Sequence, residues 1–157
     1  MNFLEQLAAE WYALQGSFVR SNVKANRRVN GGWDSELDVL AYSPATGELV
    51  HVETSAASSS WEAREERARN KKFVYSIDQY AELIGAHPAS VRKRMVVGAQ
   101  QIPPEPFWDD IEVVTIPQFM AEIHAGLKGR HPMRDAVPEN YPRLRAIQFS
   151  LAYSRGS

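Results

Sequence analysis

The chain has 157 residues, 44% of them hydrophobic and 24% charged, with a formal net charge of −1. That length suits one domain, residues 1–157, burying ~70% of its unfolded surface, and is short for two. The absence of cysteine excludes disulfides and thiolate metal sites, so any metal must be held by oxygen or imidazole. No uncharged apolar run approaches about 18 residues, and a soluble cytoplasmic protein with no membrane partner is expected.

Phe3, Leu4, Leu7, Ala8, Trp11 and Leu14 recur at three- and four-residue spacing. They predict an amphipathic helix ending before Gly16, with Glu5 and Glu10 off the stripe. From Ser17 to about Ala25, Val19 and Val23 alternate with Arg20 and Lys24, the pattern of a half-exposed strand. "NRRVNGGWDS" reads as a loop. Glu36–Tyr42 and Glu48–Ser55 then form two strands joined by "SPATG", whose Pro44 and Gly47 suit a hairpin.

"SSSWEAREERARNKKF" predicts a helix, with Ser59 and Glu62 spaced as a capping box and its acids preceding its bases. A second helix starts at Ser76, has Gln79 three residues on, and stops near Gly85. "SVRKRMVVGA" and "IEVVTI" read as strands, and the three prolines of "QQIPPEPFWDD" between them argue against regular structure there. Pro117 opens a further helix, and the tail from Pro138 to about Tyr153 is helical. The layout is α/β, a mixed sheet of about five strands flanked by helices, with a core over about 1–128 and a helical extension over 129–157.

Basic residues cluster at Arg20, Lys24, Arg27 and Arg28, again at Arg92, Lys93 and Arg94, and at Arg143 and Arg145. Such clusters bind polyanions even in a neutral chain, or form a solvated surface of mixed charge. In the hairpin, strand alternation puts Leu37, Val39 and Ala41 with Val50, Val52 and Thr54 on an apolar core face. Asp38 then shares the other face with His51, Glu53 and Ser55. In aligned register Asp38 and Glu53 stand ~5 Å apart at the backbone. Either both face water, or a hard divalent cation such as Mg²⁺ or Mn²⁺ lies between them.

The run "GGWDSELDVLAYSPATGELVHVETS", preceded by a helix bearing Glu10 and a basic strand, resembles the PD-(D/E)xK nuclease superfamily, the restriction-endonuclease-like fold. The resemblance covers roughly residues 1–75. It implies hydrolysis of DNA phosphodiester bonds with Mg²⁺ (or Mn²⁺), Asp38 and Glu53 as metal ligands and Glu10 as a further one. It also implies that Arg20, Lys24, Arg27 and Arg28 hold the nucleic-acid backbone, and it allows a homodimer. Where the family places lysine this chain has Ser55, a hydroxyl that cannot act as an ammonium does. The alternative is a nuclease fold that has lost hydrolysis and serves as a DNA-binding or protein-interaction module.

In some members of the superfamily the lysine sits on the following helix, which points to Lys71 or Lys72. Against that, a straight helix rising ~1.5 Å per residue carries Lys71 about 18 Å from a start near Ser59. Lys71 and Lys72 then read as a helix end matched to the dipole, and Arg64 or Arg67 as nearer sources of charge. Trp33 and Trp61 flank the acids in sequence and could stack on bases or plug a core edge.

Overall fold

The computed structural model describes residues 2–56, 58–99, 101 and 103–154. In chain order these form α1 (Phe3–Leu14), β1 (Phe18–Arg27), β2 (Trp33–Tyr42), β3 (Glu48–Ser55), α2 (Trp61–Arg67) and a π-helical turn (Ala68–Lys72). They continue with α3 (Ile77–Ile84), β4 (Ser90–Val97), β5 (Phe107–Trp108), β6 (Ile111–Thr115), α4 (Ile116–Leu127) and α5 (Pro142–Tyr153). The strands make one mixed sheet in the order β1-β2-β3-β4-β6-β5. The first three are antiparallel, β3, β4 and β6 run parallel, and β5 is antiparallel to β6.

The α/β layout matches the sequence reading, with the two-residue β5 inside the proline-rich segment as the extra strand. Several boundaries shift. β1 and β2 reach further along the chain than expected, to Arg27 and from Trp33, so the predicted loop contracts to residues 28–32. The helix α2 is capped by the Ser60 side chain, which accepts from the Ala63 amide, rather than by a Ser59–Glu62 box. At α3 the Ser76–Gln79 capping box forms, and Gly85 closes the helix at φ 74°, a left-handed conformation that glycine adopts without a Cβ penalty. Of the predicted C-terminal extension, residues 155–157 lie outside the described residues.

Both faces of the sheet are covered, so the face that carries Asp38 and Glu53 is not open to water. On one side α1, α4 and α5 pack over Val39, Ala41, Val50, Val52, Val96 and Val114. On the other, Tyr75 and Tyr80 cover Val23, Ala25, Leu37, Leu40 and Leu49, and Ala68 and Phe73 pack on Met95, Val97 and Val113. This is the double cover that a parallel β3–β4 pair with a helical crossover requires. Leu37 packs with Leu40 rather than with Val39, its neighbour two residues on. Beside it the β1–β2 register skips Asn22, whose left-handed backbone (φ 52°) interrupts regular pairing.

The close approach of α1 to α4 depends on Gly126. A Cβ built there falls 2.2 Å from Trp11 Cη2, far inside van der Waals contact. Gly126→Ala is expected to destabilise by ~2–3 kcal/mol through overpacking, seen as a drop in thermal midpoint. An unchanged midpoint would contradict this packing.

Candidate functional site

The site lies where β2 and β3 part. Their register runs from Tyr42↔Leu49 to Val39↔Val52, and at the next position side chains replace the backbone ladder. The Asp38 amide donates to Glu53 Oε1 at 3.2 Å, and the Thr54 amide and hydroxyl donate to Asp38 Oδ2 at 2.9 and 3.1 Å. Carboxylates thus satisfy the backbone donors that the fork exposes. Both acids are buried, Asp38 at 9% exposure and Glu53 at 0%, so the reading in which they face water is set aside.

Glu53 is gripped from two sides. His51 Nε2 lies 2.8 Å from Oε1, and His51 Nδ1 lies 2.8 Å from the Tyr80 hydroxyl. Burial lowers the His51 pKa, an effect only partly offset by Glu53, so the imidazole is neutral. Its partners then fix the tautomer: Nε2–H donates to the carboxylate while the Tyr80 hydroxyl donates to Nδ1. Burial and the Glu53 charge push the Tyr80 pKa up, which keeps that hydroxyl protonated.

On the other side Lys72 Nζ stands 2.8 Å from Glu53 Oε2. Burial by itself would raise the Glu53 pKa, but His51 and Lys72 outweigh it and hold the carboxyl below its ordinary value. The same pairing outweighs desolvation at Lys72 and raises its pKa. Asp38 behaves in the opposite way. Burial first, then the Glu53 charge, lift its pKa to about 6 against the Thr54 hydrogen bond and the Lys72 charge.

The straight-helix objection to a lysine on the following helix fails for a structural reason. The objection takes the start of the helix as its point nearest the acids, whereas the end of the helix, the π-turn Ala68–Lys72 closed at Phe73, is the part that packs on the sheet, with Ala68 and Phe73 buried against it. Phe73 is buried, with its ring centroid 4.7 Å from that of His51, and it pins Lys72 beside the fork. Lys71 is exposed. Arg64 places its guanidinium 4.7 Å from the Trp61 ring centroid, and Trp61 meets Trp108 edge-on; this tryptophan seals a core edge. Trp33 stands 47% exposed near the β1–β2 turn. Ser55 is half-buried, and its carbonyl accepts from the Gly98 amide at 2.7 Å.

Glu10 is committed elsewhere. Its Oε1 accepts from Arg143 Nη1 at 2.8 Å and its Oε2 from the amides of Arg143 and Leu144, both at 3.0 Å. It caps the first turn of α5. The α1 acid that acts electrostatically on Asp38 is Glu5, in a capping box with Asn2, whose side-chain Nδ2 donates to Thr54 Oγ1 at 3.4 Å. The N-x-x-E spacing at residues 2–5 was the signal for this helix start. Glu10→Gln is expected to destabilise by ~1–2 kcal/mol while leaving Mg²⁺ affinity, measured by calorimetry, within about twofold of wild type; a large loss of Mg²⁺ binding would restore Glu10 as a ligand.

The predicted backbone-binding residues of β1 and its turn are exposed, yet mostly engaged. Arg20 donates to the Leu83 carbonyl, Lys24 pairs with Glu36, and Arg28 pairs with Asp34. Arg27 faces solvent opposite Trp33.

Among the described residues no group of three or more histidine, cysteine, aspartate or glutamate side chains is arranged to hold a metal. Two carboxylates are nevertheless compatible with Mg²⁺, which keeps several waters and uses substrate phosphates as ligands. Glu53 Oε2 is buried with the Lys72 ammonium 2.8 Å away, whereas among the described residues Asp38 has no cation at hydrogen-bond distance and its pKa is raised by burial and then by the Glu53 charge, which a bound cation would offset. The donor chemistry fits. No protein-family model matches the chain, and no curated protein matches it. Among the described residues no helix is long and apolar enough to cross a membrane.

Proposed function

We propose that the protein is a metal-dependent nuclease-like domain that hydrolyses DNA phosphodiester bonds at the β2–β3 fork, in the manner of the PD-(D/E)xK superfamily. The observation that carries this reading is the Lys72 ammonium 2.8 Å from Glu53, which supplies beside the second acid the cation that Ser55 lacks. Asp38 and Glu53 would hold Mg²⁺ or Mn²⁺, which when bound activates water and offsets charge on the phosphate. His51 and Tyr80 keep the Glu53 carboxylate in one orientation. Lys72 stabilises negative charge developing on the phosphate, and Thr54 holds Asp38 toward Glu53. Arg27 is available for the DNA backbone, whereas Arg20, Lys24 and Arg28, the other residues expected there, are held by the Leu83 carbonyl, Glu36 and Asp34.

The second reading is a DNA-binding or protein-interaction module without hydrolysis. It is favoured by one feature: Glu53 is already neutralised by Lys72 and hydrogen-bonded by His51, so the buried acid is stable with no metal. Purified protein incubated with DNA and Mg²⁺ or Mn²⁺ separates the two. The nuclease reading expects cleavage that Asp38→Asn abolishes. Cleavage indifferent to Asp38→Asn would end it, and DNA binding that survives chelation with no cleavage would select the module.

A further inference from the structure

The β1–β2 ribbon leaves the sheet at the acid pair. The β2–β3 pairing stops at Val39↔Val52, whereas the β1–β2 pairing continues to Arg27↔Trp33. The base of this ribbon is anchored, because Val23, Ala25 and Leu37 pack with Tyr75 and Tyr80. Its tip is not. Val29 is fully exposed at 103% and Trp33 at 47%, on either side of a turn in which Gly31 and Gly32 take φ 91° and 82°. A branched apolar side chain and an indole at the end of an anchored two-stranded arm have no role in the core of this fold.

The charges of the arm narrow the partner. Lys24 and Arg28 are paired with Glu36 and Asp34, so only Arg27 adds positive charge without an acid beside it. Attraction to an intact duplex backbone is therefore weak, and the two acids oppose it. An apolar tip gains most from the faces of bases, which a duplex exposes only where its strands part. Resting on the nuclease reading, we propose that the tip, Val29 and Trp33, is a wedge that stacks on bases at a fork or junction and thereby selects branched DNA over continuous duplex. Asp38 follows Trp33 by five residues on the same strand, ~17 Å at ~3.4 Å per residue. That span equals about five nucleotide steps, so the arm sets the cut at a fixed offset of about five nucleotides or fewer from the branch.

Two measurements test this in parallel. In chelator, wild-type protein is titrated against a fork and against a linear duplex of the same sequence, with 2-aminopurine at the branch. The expected result is about tenfold tighter binding to the fork, on the scale of one stacked base, with a 2-aminopurine signal at the branch. Val29→Ser with Trp33→Ala should bring the preference to within about twofold, and Trp33→Phe should restore part of it. Val29→Ser alone, at a fully exposed position, provides a variant whose fold is unaffected. Equal affinity for the two DNAs, no binding to either, or a preference that survives the double substitution would overturn the wedge. Cleavage in Mg²⁺ is then mapped on the same DNAs. Fork preference without cleavage supports the wedge and ends the hydrolytic reading, whereas cleavage with no fork preference overturns the wedge and leaves hydrolysis standing.

Discussion

Lys72→Met is expected to lower Mg²⁺-dependent DNA cleavage by about 10²–10³-fold under single-turnover conditions, the usual effect of removing one preorganised group that stabilises transition-state charge. Methionine keeps the length and apolar stem of lysine, so the change removes charge more than packing. Stability should also fall, because Glu53 is buried and would lose the ammonium 2.8 Å from Oε2. Lys72 is about one-third exposed, so the loss is ~1–3 kcal/mol rather than the full cost of orphaning a buried charge. The stability effect alone does not identify a catalytic lysine, and a second substitution does. Ser55 shares the strand face of Glu53 two residues on, so Ser55→Lys in the Lys72→Met background places an ammonium where the superfamily carries it. Recovery of at least about tenfold in cleavage, read with thermal midpoints for both variants, would establish that the cation has moved from strand to helix. Cleavage unchanged by Lys72→Met would remove Lys72 from the chemistry.

How far this site was legible in the sequence depends on the range of the interaction involved. Strand alternation placed Asp38 and Glu53 on one face because the period of two is local, and the apolar partners Val39, Ala41, Val50 and Val52 occupy the layer the pattern assigned them. The layer over the acids was not legible. Tyr80 and Phe73 arrive from the β3–β4 crossover and pack on the sheet through tertiary contacts, and the π-turn at Ala68–Lys72 has no distinct residue pattern to announce it. Distance counted from the helix start therefore placed Lys71 and Lys72 away from the site, while the packing of the helix end on the sheet puts Lys72 beside Glu53. Glu10 was misplaced for a related reason. Its partners, Arg143 and the start of α5, lie more than 130 residues along the chain, beyond any local signal, whereas Glu5 carried a readable capping box.

Asp38→Asn is expected to stabilise the metal-free protein at pH 8 while abolishing cleavage and the stabilisation by Mg²⁺. Burial and the Glu53 charge raise the Asp38 pKa from 3.8 to about 6. A carboxyl whose folded value lies above its unfolded value favours the fold fully below pH ~4, and that contribution is lost as pH rises through about 6. A shift of about two units corresponds to a ceiling of ~3 kcal/mol, so a gain of ~1–3 kcal/mol in the variant at pH 8, shrinking toward pH 4, is the expected profile. The Asn side-chain oxygen still accepts from Thr54, so the gain reflects charge rather than a lost contact. Glu53→Gln should move the other way at pH 8, because Lys72 and His51 hold the Glu53 carboxyl below its ordinary value and amidation leaves Lys72 without its anion. Opposite signs from the two acids would follow from their unequal surroundings: one is balanced by the protein, and the other is left for a cation from solution. Mg²⁺ should then raise the thermal midpoint of wild type most above pH 6, where Asp38 is ionised and proton competition is weakest. Equal midpoints for wild type and Asp38→Asn across pH 4–8, with or without Mg²⁺, would mean that Asp38 is neither destabilised nor available to a metal.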